Sequence, residues 1–147
     1  MKEKWHRRIL LLWAGAGAAA LLWGIARLLS GEEAEEVFQP RKAFAAGNYT
    51  VEVALSEGRA RVLQENPLAV SVKDAAGSPV AGAEVLVAIS MPVMFCGTSR
   101  SELSETAPGL YTGSGIPLMA GRQSAGVTVR LPGGEALQVS FPFAAER

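Results

Sequence analysis

Two hydrophobic patterns divide the chain. Ile9 to Ala26 reads ILLLWAGAGAAALLWGIA, apolar and uncharged for 18 residues. From Tyr49 onward the apolar residues recur at alternate positions instead: Tyr49, Val51, Val53 and Leu55 share one face, with Thr50, Glu52, Ala54 and Ser56 on the other. Period two is the mark of a half-buried strand. The same alternation returns at Leu68, Val70 and Val72, at Val85, Val87 and Ile89, at Val127, Val129 and Leu131, and at Leu137, Val139, Phe141 and Phe143. Shorter strands are expected around Arg59 to Leu63, Glu102 to Ser104 and Leu110 to Thr112. Asp74 to Pro79 and Pro132-Gly133-Gly134 supply the fixed-φ and positive-φ residues that chain reversals need. About seven short strands with no helical period between them predict an immunoglobulin-like antiparallel β-sandwich.

The uninterrupted run has a different solvent. At about 1.5 Å per residue it spans about 27 Å, close to the hydrocarbon thickness of a bilayer. Leu28 and Leu29 extend it, with Arg27 snorkelling toward the far headgroups. Lys2, Lys4, Arg7 and Arg8 precede the run, so the positive-inside rule keeps the N-terminus cytoplasmic and exports everything after Leu29. A cleaved signal peptide is the rival reading, but Leu28 stands where cleavage after Ser30 would want a small residue. The expected organisation is a cytoplasmic leader (residues 1–8), a transmembrane anchor (9–29), an acidic linker (30–43) and an extracytoplasmic sandwich (44–147) in a single-pass protein of the cell membrane.

Charge and composition narrow the function. Formal net charge is zero, and no cluster of Lys and Arg lies outside the leader, which argues against nucleic-acid binding. The one histidine, His6, lies in the leader, and the one aspartate, Asp74, sits in a turn. Without a histidine near them the hydroxyl side chains have no evident activating base, so no enzymatic activity is expected. A single cysteine, Cys96, excludes an internal disulfide and any paired-cysteine redox or zinc motif.

The unusual chemistry is soft. Ser90-Met91-Pro92-Val93-Met94-Phe95-Cys96-Gly97 and Pro117-Leu118-Met119-Ala120-Gly121 hold the only cysteine and every methionine except Met1. Thioether and thiolate sulfurs select Cu(I) over harder ions. Pro92 cannot donate to a ladder, so the strand ending near Ser90 should give way to a loop or bulge at an end of the sandwich. If extended geometry then resumes, Met94 and Cys96 share a face, and Met119 is the nearest completion. The competing reading is that these residues are core, since methionine fills irregular gaps and free cysteine is commonly buried.

The chain resembles the YtkA-like and FixH-like family of bacterial membrane-anchored domains. The resemblance is carried by Gly47-Asn48-Tyr49, Asn66-Pro67-Leu68 leading into Val70 to Asp74, Gly77-Ser78-Pro79-Val80-Ala81-Gly82-Ala83, Met91 to Met94, Pro108-Gly109-Leu110-Tyr111 and Pro117 to Gly121. It implies an Ig-like sandwich outside the cytoplasm, no enzymatic activity, and a link to copper transport or to maturation of haem-copper oxidases. Two departures stand out: Arg122-Gln123-Ser124 follows Gly121 where the family often has tryptophan, and the histidines that often accompany the methionines are missing. A metal site made of Met91, Met94, Cys96 and Met119 would therefore be sulfur-only and suited to Cu(I).

Three functions follow as expectations. One is an anchored accessory domain that binds Cu(I) or helps assemble a copper-containing membrane complex. Another is a metal-free adaptor whose loops bind a membrane protein partner, and the third is a thiol protein using Cys96. The anchor has its own test. The mature chain should retain residues 1–30 and stay with the membrane through alkaline carbonate extraction, whereas an N-terminal sequence starting at or after Gly31 would replace the anchor by a signal peptide.

Overall fold

The computed structural model describes residues 38–147, and within them the side chains of Phe95 and Cys96 are not described. The expected leader, anchor and most of the linker therefore lie outside the described residues. Phe38 to Arg147 form one compact unit. Its strands are β1 (Arg41–Ala46), β2 (Tyr49–Leu55), β3 (Ala60–Arg61), β4 (Asn66–Lys73), β5 (Glu84–Met91), β6 (Met94–Ala107), β7 (Leu110–Gly115), β8 (Gly121–Arg130) and β9 (Ala136–Glu146).

Hydrogen bonding sorts these strands into two sheets. One runs β1-β2-β4-β7 and ends on the C-terminal part of β6, while the other runs β3-β9-β8-β5 and ends on the N-terminal part of β6. Residues of β6 up to Leu103 pair with β5, and residues from Ser104 onward pair with β7. The fold is thus an all-β, Ig-like sandwich with β2-β4-β7-β6 facing β5-β8-β9.

The alternating positions of the sequence make the core. Val51, Val53, Leu55, Leu68, Val70, Val72 and Tyr111 face Val85, Val87, Ile89, Val127, Val129, Leu137, Phe141 and Phe143, and all are buried. Phe141 and Phe143 stack with ring centroids 6.2 Å apart. Because the inward residues come from both sheets, a slip of one residue in any strand would turn its whole apolar set to water.

The structure departs from the expected strands in three places. Arg41 to Ala43, assigned to the linker by sequence, form the first rungs of β1 against Glu52 to Ala54. The short piece expected at Glu102 to Ser104 is the middle of the 14-residue β6, whose polar stretch after Gly97 has Leu103 as its one buried apolar side chain. Antiparallel pairing was expected throughout, yet β3 pairs with β9 in parallel, Ala60 opposite Ala145. This follows from chain direction: the first edge of the sandwich crosses to the other sheet after β2 without reversing.

Two polar side chains organise the connections. Asn66, buried at the start of β4, accepts the Arg61 N–H on Oδ1 at 2.6 Å and donates through Nδ2 to the carbonyls of Arg61, Gln64 and Gly115. It ties the β3–β4 loop to the end of β7. At the opposite end, the Tyr111 hydroxyl donates to the Val80 carbonyl at 2.8 Å and accepts the Ala83 N–H at 2.9 Å, pinning the long β4–β5 connection. Gly109 beside it has φ +71, and a Cβ there would stand 2.7 Å from Pro79 Cβ and 2.8 Å from the Val80 nitrogen. Only glycine fits that turn.

Burial raises the Tyr111 phenol above its ordinary value, and the charge of Glu105 adds to this against the lowering effect of the Ala83 hydrogen bond. The folded state therefore disfavours the phenolate. Its contribution to stability is complete below the ordinary tyrosine value of about 10 and is lost as pH rises through the higher folded value. Tyr111→Phe should cost about 1–3 kcal/mol at neutral pH by orphaning the two backbone groups. Chemical denaturation from pH 8 upward should also show a smaller alkaline loss of stability in the variant than in the wild type, since its share of that loss is gone.

Candidate functional site

The sulfur residues gather at one end of the sandwich. Strand β5 ends at Met91, Pro92 and Val93 form the turn, and Met94 opens β6 directly opposite Met91. The break expected at Pro92 is there, in the form of a hairpin tip. The next rung pairs Ile89 with Ser99, so Ser90 on β5 faces the longer segment Phe95 to Thr98 on β6. That segment is a bulge, and Gly97 within it has φ +100. Cys96 lies in this bulge, two residues beyond Met94, but its side chain is outside the described residues.

The β7–β8 loop closes against the hairpin. A Cβ on Gly121 would stand 3.5 Å from the Met91 methyl, and one on Gly97 would stand 3.2 Å from Leu118 Cδ1. Both glycines have positive φ, so both the bend and the close approach require them. Gln123 holds the loop from beneath. It occupies an inward position of β8 in line with Ala125, Val127 and Val129, is 2% exposed, and donates from Nε2 to the Met119 carbonyl at 2.8 Å. On the other flank, the Leu63 N–H donates to the Pro117 carbonyl at 2.9 Å, with Leu63 itself at φ +58, a conformation that non-glycine residues rarely adopt.

Exposure decides between core and rim. Met94 is 49% exposed and Met119 41%, while Met91 is partly covered at the end of the inward row of β5. None of the three is core. Val93 and Leu63 are more exposed still, at 81% and 71%, and Leu118 is exposed too. Between the hairpin strands runs a groove of about 350 Å³ lined by Ser90, Met91, Pro92, Val93, Met94, Gly97 and Thr98. A second hollow of about 340 Å³ lies on the outer face of β6-β5-β8, over Leu86, Ala88, Gly126 and Thr128, between Arg100 and Glu102, and offers no sulfur.

The donor set at this end is soft. Among the described residues no three His, Cys, Asp or Glu side chains converge on a common point, so a metal there would be held by thioethers, with Cys96 the only thiol in the chain. Sequence reasoning named Met91, Met94, Cys96 and Met119 as candidates and did not name Gln123 or Leu63. Gln123 was legible in principle, since it keeps the inward parity of β8 two residues before Ala125, but a polar residue at that parity reads as the end of a strand. Leu63 carries no such signal, because its position depends on Asn66 and on the carbonyl of Pro117 across the sandwich.

No known family model matches the chain, and no curated protein sequence does. Among solved structures it is similar to the Lin-41 filamin domain, at 17% identity and a TM-score of 0.49, over 72% of this chain and 99% of that one. It is also similar to the PmoD soluble domain from Methylocystis sp., at 11% identity and a TM-score of 0.47, over 71% of this chain and 96% of that one. At these scores the description of the fold rests on the strand order and register of the chain itself.

Gln123→Leu keeps the volume of the side chain and removes its hydrogen bond. The variant should lose about 1–2 kcal/mol, because the Met119 carbonyl is left without its donor. Amide exchange at Leu63, which depends on where Pro117 sits, should speed up by clearly more than at Val127 and Val129, whose protection falls only with the global stability. Equal acceleration everywhere would instead report a general loss of stability.

Proposed function

We propose that this chain is a membrane-anchored extracytoplasmic accessory domain, without enzymatic activity of its own, that carries Cu(I) on sulfur ligands at the open end of its sandwich in support of a copper-containing membrane complex. The observation that carries this reading is the position of the thioethers. Met91 and Met94 face each other across a hairpin tip, and Met119 lies on the loop packed against that hairpin, all outside the core. Methionine that served only to fill gaps would point inward, as Val87 and Ile89 do. The resemblance to the YtkA-like and FixH-like domains gives the same direction.

Met91, Met94 and Met119 would hold the ion, with Cys96 as the thiolate contributor from the bulge that follows Met94. Thioethers bind Cu(I) and have little affinity for Cu(II) or zinc, so the site is selective by softness. The metal-free adaptor reading retains one supporting observation, the exposed Val93, Leu63 and Leu118 at the same end.

Anaerobic titration of residues 38–147 with Cu(I) against a chromogenic chelator separates the two. The wild-type domain should compete for one equivalent, and Met94→Ser combined with Met119→Ser should weaken binding by at least about tenfold, 1.4 kcal/mol or more. Because both side chains are exposed, the double variant should unfold within about 0.5 kcal/mol of wild type. A wild-type domain with no affinity tighter than micromolar would leave the adaptor.

A further inference from the structure

We infer that the open end of the sandwich rests on the lipid interface of the membrane, with the β5–β6 tip and the β7–β8 loop inserted among the headgroups. The inference rests on the anchored part of the proposed function and is independent of its copper part. Among the described residues six large apolar side chains are exposed, and five of them, Leu63, Val93, Met94, Leu118 and Met119, stand at this end. The sixth, Leu110, is at the other end with the glycine and proline turns. An apolar surface concentrated this way on a small domain marks a contact site.

The chemistry of the tips favours lipid over a protein groove. Residues 91–97 and 116–121 contain no charged side chain. They project as a hairpin tip and a loop, with Val93 outermost at 81% exposure, which suits insertion between headgroups. Arg61, exposed beside the tips, has a guanidinium that can reach phosphates while its stem lies along apolar surface. Glu57, Glu65 and Glu146 are at the same end, with Glu146 paired to Arg59, so net charge is small and the contact depends on apolar burial, not on anionic lipid.

The length of chain before the sandwich bears on the same proposal. Phe38, the first described residue, lies under the Arg122 guanidinium at 5.9 Å from the ring centroid, and the Pro40 carbonyl accepts the Leu55 N–H at 2.8 Å. The chain therefore enters the sandwich at its open end. Residues 30–37 join this point to the anchor and reach at most about 29 Å when fully extended. The 11-residue β9 alone is about 36 Å long. On the anchored reading, a tether of that length would keep the entry point, and with it the open end, within reach of the headgroups.

The test uses the full chain in nanodiscs of phosphatidylcholine alone. Nitroxide labels are placed singly at Val93→Cys, Leu118→Cys and, at the far end, Gly133→Cys, each with Cys96→Ser so that one thiol reacts. Power saturation then compares collision with oxygen, which concentrates in the bilayer, and with a water-soluble nickel chelate. The ratio of oxygen to nickel accessibility should be several-fold higher at positions 93 and 118 than at 133. Equal ratios at all three sites in a chain that has entered the discs overturn the inference, and they are also the result expected if a protein partner covers this end. Failure of the chain to enter discs at all overturns the anchored reading and the inference together. A null Cu(I) titration leaves the label ratios as they are and bears only on the metal.

Discussion

Strand β6 is hydrogen-bonded to both sheets, and most of the architecture follows from that one constraint. Up to Leu103 its backbone groups are committed to β5, and from Ser104 they are committed to β7. A strand shared in this way holds the two sheets at core distance along one side, so their inward side chains must interdigitate. It also fixes where β5 can end. Since Leu103 must stay inside, any mismatch in length between β5 and β6 has to be absorbed at the far end of their hairpin, and the bulge from Phe95 to Thr98 is where it goes. That bulge separates Cys96 from the regular ladder and leaves Met91 and Met94 as the last paired residues before the tip. The chemistry at the rim is thus a consequence of register.

Most of the core was legible in the chain. The rows through Val51, Val70, Val87, Val127 and Phe141 turned inward as their period required, because each strand has one apolar face and one polar face and the sandwich offers a single way to bury them. β6 was largely hidden for the same reason. Its edge position in both sheets exposes most of its length, so Leu103 gives one apolar beat where a central strand gives three or four. β1 is an edge strand too, and its opening residues Arg41 and Lys42 carry the composition of a linker; the ladder to β2 alone identifies them as sheet. At the site, the types and spacing of the sulfur residues showed where to look. Their exposure could not be read, because Met at an inward parity and Met at a rim are the same letter.

Gln123 and Asn66 illustrate how a sandwich end is made specific. Apolar burial would be satisfied by many arrangements of the surrounding loops, since none of the exposed side chains there gains much by choosing one. Two buried amides remove that freedom: Asn66 uses both ends of its side chain on the β3–β4 loop and the last residue of β7, and Gln123 takes the carbonyl of Met119. Because an unmet hydrogen bond in a buried position costs more than a made one gains, alternative loop positions are penalised more strongly than the native one is stabilised. Met119 is therefore placed by a polar group set behind it, while its own side chain stays adaptable.

On the two proposals together, a soft site at a lipid surface would be constrained in how it holds its ion. Thioethers are neutral, so Cu(I) bound by methionine alone keeps its full positive charge. Near the bilayer that charge loses hydration, and an uncompensated ion is disfavoured as the surrounding dielectric falls. A thiolate cancels it; a methionine does not. Of the ligands proposed here, only Cys96 can supply that compensation, and it sits in the bulge, the least regular part of the ladder. With the thiolate withdrawn or protonated, the ion would be left on weak neutral donors at a desolvated surface, and transfer to an anionic or imidazole-rich site in a membrane protein would run downhill.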